Sequence, residues 1–419
     1  MNSKSPNSPE AAQQVDSPPF SGIPAVPLAS APLTRHRGPL LPLTGVRFFA
    51  ASYVIVLHTR AGAVLAKHGF IHLGRFLQNG YLAVPLFFML SGFILAYNYR
   101  NQIQARSDAF RFWEARFARI WPAYLFSLLC SSFPVSNIPT PPLAFATIFM
   151  VQAWNPFHPE YSGVWNFVCW TLSVEAFFYL VFPLLQKFTE KLQLRALELF
   201  GLFIAVVGVA LNTPSHTLVT APVGMWTYIP APLIHLPEFI AGVILGNLFL
   251  VARRQTKLSA GISSPPQPGS ASVPPGARMS WRTISWRTHS WRTHSWRTWI
   301  GVLLCAVILS TAANNWEGLV IPGFGLLLYG LVTELTLLSR FLSTRALVLG
   351  GEISYSMYLL RTPLQKWIGM VPGLHESLLV GVLYIPFVLI PFSIATFYFV
   401  EAPARRLLRR MFASLQARA

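Results

Sequence analysis

Charge is scarce in this sequence: Asp, Glu, Lys and Arg make up 11% of 419 residues, against about 25% in an average soluble domain. With 53% hydrophobic residues, the chain cannot cover a water-facing surface with polar side chains. Acidic residues are scarcer still, 14 against 32 Lys and Arg, for a formal net charge of +18. In a soluble protein that balance would point to nucleic acid. Here the basic residues fall between apolar runs, which points to membrane topology and anionic lipid headgroups and leaves no nucleic-acid partner expected. Cysteine is nearly absent, and Cys130, Cys169 and Cys305 lie inside apolar stretches at no paired or ligand spacing, so neither a disulfide framework nor a zinc site is supported. The histidines are scattered, none at ligand spacing with Asp, Glu or Cys, and no metal site is expected.

What is present is a succession of apolar runs, many near the roughly 20 residues a helix needs to cross the hydrocarbon core. They lie near Leu43–Ala61, Leu82–Tyr97, Ile120–Phe133, Trp165–Leu185, Leu197–Asn212, Leu233–Val251, Trp299–Ala313, Leu319–Leu338, Ala346–Ile368 and Leu378–Phe399. The pattern predicts an all-α membrane protein, a polytopic bundle of about ten transmembrane helices. A shorter run, Leu143–Ala153, follows Pro139, Pro141 and Pro142 and reads as re-entrant or interfacial. Lys and Arg beside spans are retained in the cytoplasm. With both termini placed there, only Arg60, Lys67, Arg75, Arg361 and Lys366 fall outside; counting the short run as an extra span would move every later basic loop outside.

Residues 1–39, rich in Pro, Ser and Ala, lack a basic n-region and an apolar h-region, so they read as a disordered cytoplasmic tail, with the first helix as an uncleaved signal anchor. The membrane domain is expected over 40–410, interrupted by a low-complexity cytoplasmic insert at 252–298 that ends in repeated SWRT units. The Trp–Arg pairs could bind the interface; a tolerated repeat expansion is the plainer reading. Residues 411–419 read as a cytoplasmic C-terminal tail.

Ionisable side chains inside spans cost a few kcal/mol on insertion scales, so each should face a cavity, a partner or a reaction. In the first span Arg47 and His58 stand eleven positions apart. At 100° and 1.5 Å per residue they share a helix face, about 16 Å apart in depth. Arg47 near the cytoplasmic end suits phosphates and His58 in the outer half suits proton transfer, although a headgroup anchor and a snorkelling histidine are the plain alternatives. Arg116 and Arg119 lie one turn apart at the entrance of the third span and could clamp a diphosphate, or serve only as positive-inside anchors. Glu175 sits in an apolar span with no nearby base and needs a partner from another helix, or stays protonated; a structural interhelical hydrogen bond is the alternative. Glu238, after Pro237, could cap its helix or meet an Arg, and Glu401 reads as a structural ion pair with Arg405.

Taken together and in order, LTGVRFFAASYVIVLH, LAVPLFFMLSGFILAY, RFARIWPAYL, WTLSVEAFFYLVFPLL, PEFIAGVILG, GEISYSMYLL and FVEAPARR resemble the membrane-bound acyltransferase 3 family over roughly Leu41 to Arg410. The resemblance implies a bacterial inner-membrane O-acyltransferase that takes an acyl group, usually acetyl, from cytoplasmic acyl-CoA to a hydroxyl of a surface glycan. Exopolysaccharide and lipopolysaccharide are the leading acceptors; a lipid-linked sugar or a small metabolite is the alternative. It further implies that Arg116 and Arg119 hold CoA phosphates, that Arg47 guides the donor arm, that His58 acts as general base or acyl relay, and that Glu175 orients His58 or the acceptor. Arg361 and Glu238 are the candidate acceptor-binding residues.

Two departures stand out. Ala176 and Phe177 replace an acidic residue and a glutamine common after the family's glutamate, and Arg361 stands where many relatives have a His after SYSLYL. A reading from another class, a carrier using His58, Glu175 and Arg361 without chemistry, finds no repeated halves with matching broken segments.

Overall fold

The computed structural model describes residues 38–59, 61–133, 139–157, 161, 163–212, 229–259, 295–311, 317–371 and 383–416. Most of the N-terminal tail, all but the last of the SWRT units, Arg60 and the expected start of the last span at Leu378 lie outside the described residues. Among those described the fold is helical, with no strands. Its helices are α1 (Leu41–Leu57), α2 (Ala61–Lys67), α3 (Ile71–Gln78), α4 (Ala83–Tyr99), α5 (Arg106–Ser131), α6 (Pro141–Ile148), α7 (Trp170–Lys191) and α8 (Leu194–Asn212). Then follow α9 (Leu236–Ser259), α10 (Trp296–Thr311), α11 (Val320–Thr333), α12 (Leu337–Leu342), α13 (Arg345–Gly369) and a final continuous helix, α14 (Ile385–Gln416).

The span count differs from the sequence expectation. Five helices are long and apolar enough to cross a membrane, or six if α1 and α2, which meet at 63°, make one bent span. The reasons are local. α5 and α13, of 26 and 25 residues, are long enough, but their apolar character is broken by Arg106, Arg111, Arg116 and Arg119 in one and by Glu352, Arg361 and Lys366 in the other. α10 and α11, of 16 and 14 residues, are apolar but short. The run at Leu143 forms the eight-residue α6, too brief to cross.

Lipid offers helices no hydrophobic drive to associate, so close packing through small residues holds them together. α4 and α9 meet across Gly92, Gly242 and Gly246; a Cβ on Gly242 would stand 2.0 Å from the Met89 carbonyl oxygen. α1 and α13 touch in the same way, where a Cβ on Gly351 would lie 1.9 Å from the Thr44 carbonyl oxygen. At the far ends of that pair the Gln365 Nε2 donates to the His58 carbonyl at 3.4 Å. Residues 44 and 351, and 58 and 365, keep one sequence offset, so α1 and α13 run parallel and in register. Apolar side chains left exposed on α8 (Leu199, Leu202, Phe203), α10 (Leu303, Val307) and α14 (Phe387, Phe399) form the kind of outer surface that hydrocarbon covers.

Buried polar ties join the helix ends. Arg100 Nη1 donates to Asn247 Oδ1 at 2.6 Å, and Asn247 Nδ2 donates to Thr189 Oγ1 at 3.1 Å, joining the end of α4 to α9 and α7. Glu334 accepts from the Thr298 backbone N–H and hydroxyl at 3.0 and 2.6 Å, satisfying a donor at the start of α10 that the helix itself leaves free.

Candidate functional site

A cavity of about 360 Å³ opens between α1, α4, α5, α7 and α13. Four residues singled out in the sequence line it: Arg47, Arg116, Arg119 and Glu175. They arrive from three helices, each because an ionisable group interrupts the apolar face that its helix packs inward. Arg116 is held firmly: its Nη2 donates to the Tyr99 hydroxyl at 3.1 Å, and its guanidinium lies 5.4 Å from the Tyr99 ring centre and 5.8 Å from that of Phe112. Both rings present a negative face to the cation. Its Nε is buried without a hydrogen-bond partner, so the guanidinium keeps an unused donor at the cavity wall.

Glu175 finds partners that the sequence did not reveal. Its Oε1 accepts from the Ser91 hydroxyl on α4 at 3.0 Å and from the Tyr179 hydroxyl, one turn along its own helix, at 2.5 Å. Ser91 and Tyr179 also line the cavity. The signal for Tyr179 was available as an i, i+4 neighbour on α7; Ser91, 84 residues away, left none. Arg47 lies within electrostatic reach of Arg119, Glu175 and Glu401, so two carboxylates offset the guanidiniums here. Glu401 is 1% exposed and accepts from the Ser356 hydroxyl at 3.2 Å, and Arg119, Arg405 and Arg47 act on it electrostatically. The expected ion pair with Arg405 is thus an electrostatic influence that Arg119 also exerts, and the hydrogen bond to Glu401 comes from a neutral donor on α13.

Sequence reasoning missed one contribution to this mouth. The end of α14 lies along the N-terminal half of α5, where Phe412 approaches Phe117 and Gln416 Nε2 donates to Glu114 Oε2 at 2.5 Å. Arg405 and Arg409, one turn apart on α14, then add charge beside the pair on α5: Arg119 acts electrostatically on both, and Arg116 on Arg409.

His58, Arg361 and Glu238 are not among the cavity-lining residues. The α1/α13 pair gives their depth. Counted by its constant offset, Arg47 is level with Ser354, which lines the cavity, as do Tyr355 and Tyr358. Arg361 follows Tyr358 by one turn, about 4.5 Å further along, and His58, level with Gln365, lies about 6 Å beyond Arg361. Arg361 acts electrostatically on His58. Its Nη1 donates to Gln365 Oε1 at 3.4 Å, and Gln365 in turn holds the His58 carbonyl. Glu175 therefore sits with the guanidiniums of Arg47, Arg116 and Arg119 and not beside His58. Glu238, fully buried, faces the Nδ1 of His235 at 3.1 Å rather than an arginine, and its Oε2 has no hydrogen-bond partner. The rings of Phe88 and Trp170 flank that histidine.

The arrangement is a cavity with clustered guanidiniums at one end of a helix pair and a histidine with a buried cation at the other. Comparison with known proteins gives this geometry a chemistry. A family model described as an acyltransferase domain matches residues 42–399. Acyltransferase MdmB of Streptomyces mycarofaciens is 30% identical over 224 residues, 48% of this chain and 56% of that protein. O-acetyltransferase OatA of Staphylococcus aureus is 30% identical over 164 residues, 35% of this chain and 24% of that protein. The matched stretches thus span about half or less of these relatives. No solved structure matches the chain.

Proposed function

The chain belongs to the acyltransferase domain family just matched, and from that premise we propose that it is a multi-pass inner-membrane O-acyltransferase that carries an acetyl group from cytoplasmic acetyl-CoA to a hydroxyl of a surface glycan. The observation that carries this reading is the cavity shared by Arg47, Arg116, Arg119 and Glu175. In this reading Arg116 and Arg119, supplemented by Arg405 and Arg409, hold the diphosphate and 3′-phosphate of CoA, for which guanidinium forks are well matched. The pantetheine arm follows the polar stripe of α1 and α13 past Thr44, Arg47, Ser354 and Tyr358. Glu175, fixed by Ser91 and Tyr179, offsets Arg47 and positions the arm.

The thioester then reaches the level of Arg361 and His58. The acceptor hydroxyl oxygen attacks the thioester carbonyl carbon while His58 takes the hydroxyl proton. The tetrahedral adduct collapses, the C–S bond breaks, and the proton passes to the departing CoA thiolate, leaving an acyl ester and free CoA. OatA's name, an O-acetyltransferase, supports the choice of acetyl and of a hydroxyl acceptor. The membrane assignment draws support from the apolar helices, and the inner location of the arginine mouth from the bias of Lys and Arg toward one side.

The test is release of free CoA from acetyl-CoA by purified protein supplied with an envelope extract. Release that depends on Arg47 and His58 is the expected result. Equal release by wild type, Arg47→Ala and His58→Ala, all folded, would remove the reading.

A further inference from the structure

Arg361 is a buried charge that no carboxylate among the described residues balances. It is 4% exposed. Its Nη1 and Nη2 donate only to neutral oxygens, Gln365 Oε1 at 3.4 Å and Thr362 Oγ1 at 3.1 Å, and its Nε is buried with no partner. Among the described residues no carboxylate pairs with it; the groups that act on it electrostatically are the neutral hydroxyls of Tyr358 and Tyr384. The contrast with Arg47 on the facing helix is direct, since Glu175 and Glu401 both act there.

A buried cation is retained when it is paired, and an unpaired one marks a ligand or a transport path. Here the second observation fixes which: the same α13 stripe that supplies Ser354 and Tyr358 to the cavity continues to Arg361, and the next turn, Gln365, holds the end of α1 at His58. A residue kept only to clamp Gln365 would need no charge and would not strand a donor. We propose that Arg361 is the anion-binding residue of the acceptor site, so that the acceptor acylated beside His58 is an anionic sugar carrying a carboxylate or phosphate near the acylated hydroxyl. This rests on the acyltransferase reading above. The guanidinium anchors the anion, the neighbouring hydroxyl is thereby presented to His58, and the stranded Nε gains its acceptor.

The test uses the full-length protein, acetyl-CoA and three methyl glycosides that share one ring: the neutral glucoside, the glucuronide and the glucoside 6-phosphate. Acetylated product is measured for each. Wild type is expected to favour an anionic glycoside over the neutral one by at least about tenfold in kcat/KM, and whichever anion is favoured identifies its class. In Arg361→Gln the ratio is expected to fall toward one. Arg361→His at pH 8, where an ordinary imidazole is neutral, should lose it as well, while Arg361→Lys keeps part of it. A ratio within one variant is insensitive to how much protein folds. A wild type indifferent to the anion, or a preference that survives both Arg361→Gln and Arg361→His, overturns the proposal. Absence of CoA release by wild type even with envelope extract would instead overturn the acyltransferase reading, and the acceptor proposal with it.

Discussion

The two ends of the α1/α13 pair use arginine in opposite ways. At the Arg47 end Arg47, Arg116 and Arg119 crowd one cavity, yet Glu175 and Glu401 share the field and aromatic rings cover Arg116. At the His58 end a single buried guanidinium, Arg361, has neutral partners only among the described residues. Clustered guanidiniums tempered by carboxylates suit a highly charged ligand that must bind and leave, because full neutralisation by cations alone would hold it. A lone uncompensated guanidinium suits a ligand of one charge that completes the site. One rigid, glycine-packed helix pair thus carries two electrostatic environments at a separation fixed by the rise of the α-helix.

The comparison breaks most sharply at His58. His58→Ala is expected to lower kcat on the order of 10²- to 10⁴-fold while leaving the KM for acyl-CoA near wild type, as single-turnover and steady-state kinetics would show; an equal rise in KM would place His58 in the donor site. The converse holds for Arg116→Ala combined with Arg119→Ala. Each charged contact contributes about 1.5–3 kcal/mol, so the KM for acyl-CoA should rise by about 10²-fold or more, against a smaller effect on acceptor KM. Gly351→Ala attacks the pair that spans both sites. Its new Cβ meets backbone at 1.9 Å, and overpacking of this kind costs about 1–3 kcal/mol, read as a lower melting temperature in detergent with both KM values disturbed together. The mildest change is Glu175→Gln, which keeps an acceptor for Ser91 and Tyr179 but removes a charge; about a tenfold change in donor kinetics and little in acceptor preference is expected.

Much of the inner site was legible because it consists of ionisable residues interrupting apolar runs, and Arg47, Arg116, Arg119 and Glu175 need no distance information to be singled out. The two depths of Arg47 and His58 were also legible, since a helix converts eleven residues into a length. What stayed hidden depends on tertiary neighbours: Ser91 beneath Glu175, α14 laying Arg405 and Arg409 beside α5, and Gln365 tying α13 to the end of α1 across 307 positions. The His235–Glu238 contact lies between these cases, for its i, i+3 spacing was on view, but burial from flanking Phe88 and Trp170 was not. The expectation of about ten spans drew on hydropathy and on the placement of Lys and Arg between the runs. In the fold, charges gathered on α5 and α13 for the site, and the shortness of α10 and α11, leave five unbroken apolar helices.

The division of labour between the two ends is tested most directly by binding without turnover. A thioether analogue of acetyl-CoA is titrated into wild type, His58→Ala and the Arg116→Ala/Arg119→Ala double variant. The account predicts equal affinity for wild type and His58→Ala and a loss of about 10²-fold or more for the double variant. Undiminished binding by the double variant, or a comparable loss in His58→Ala, would contradict it.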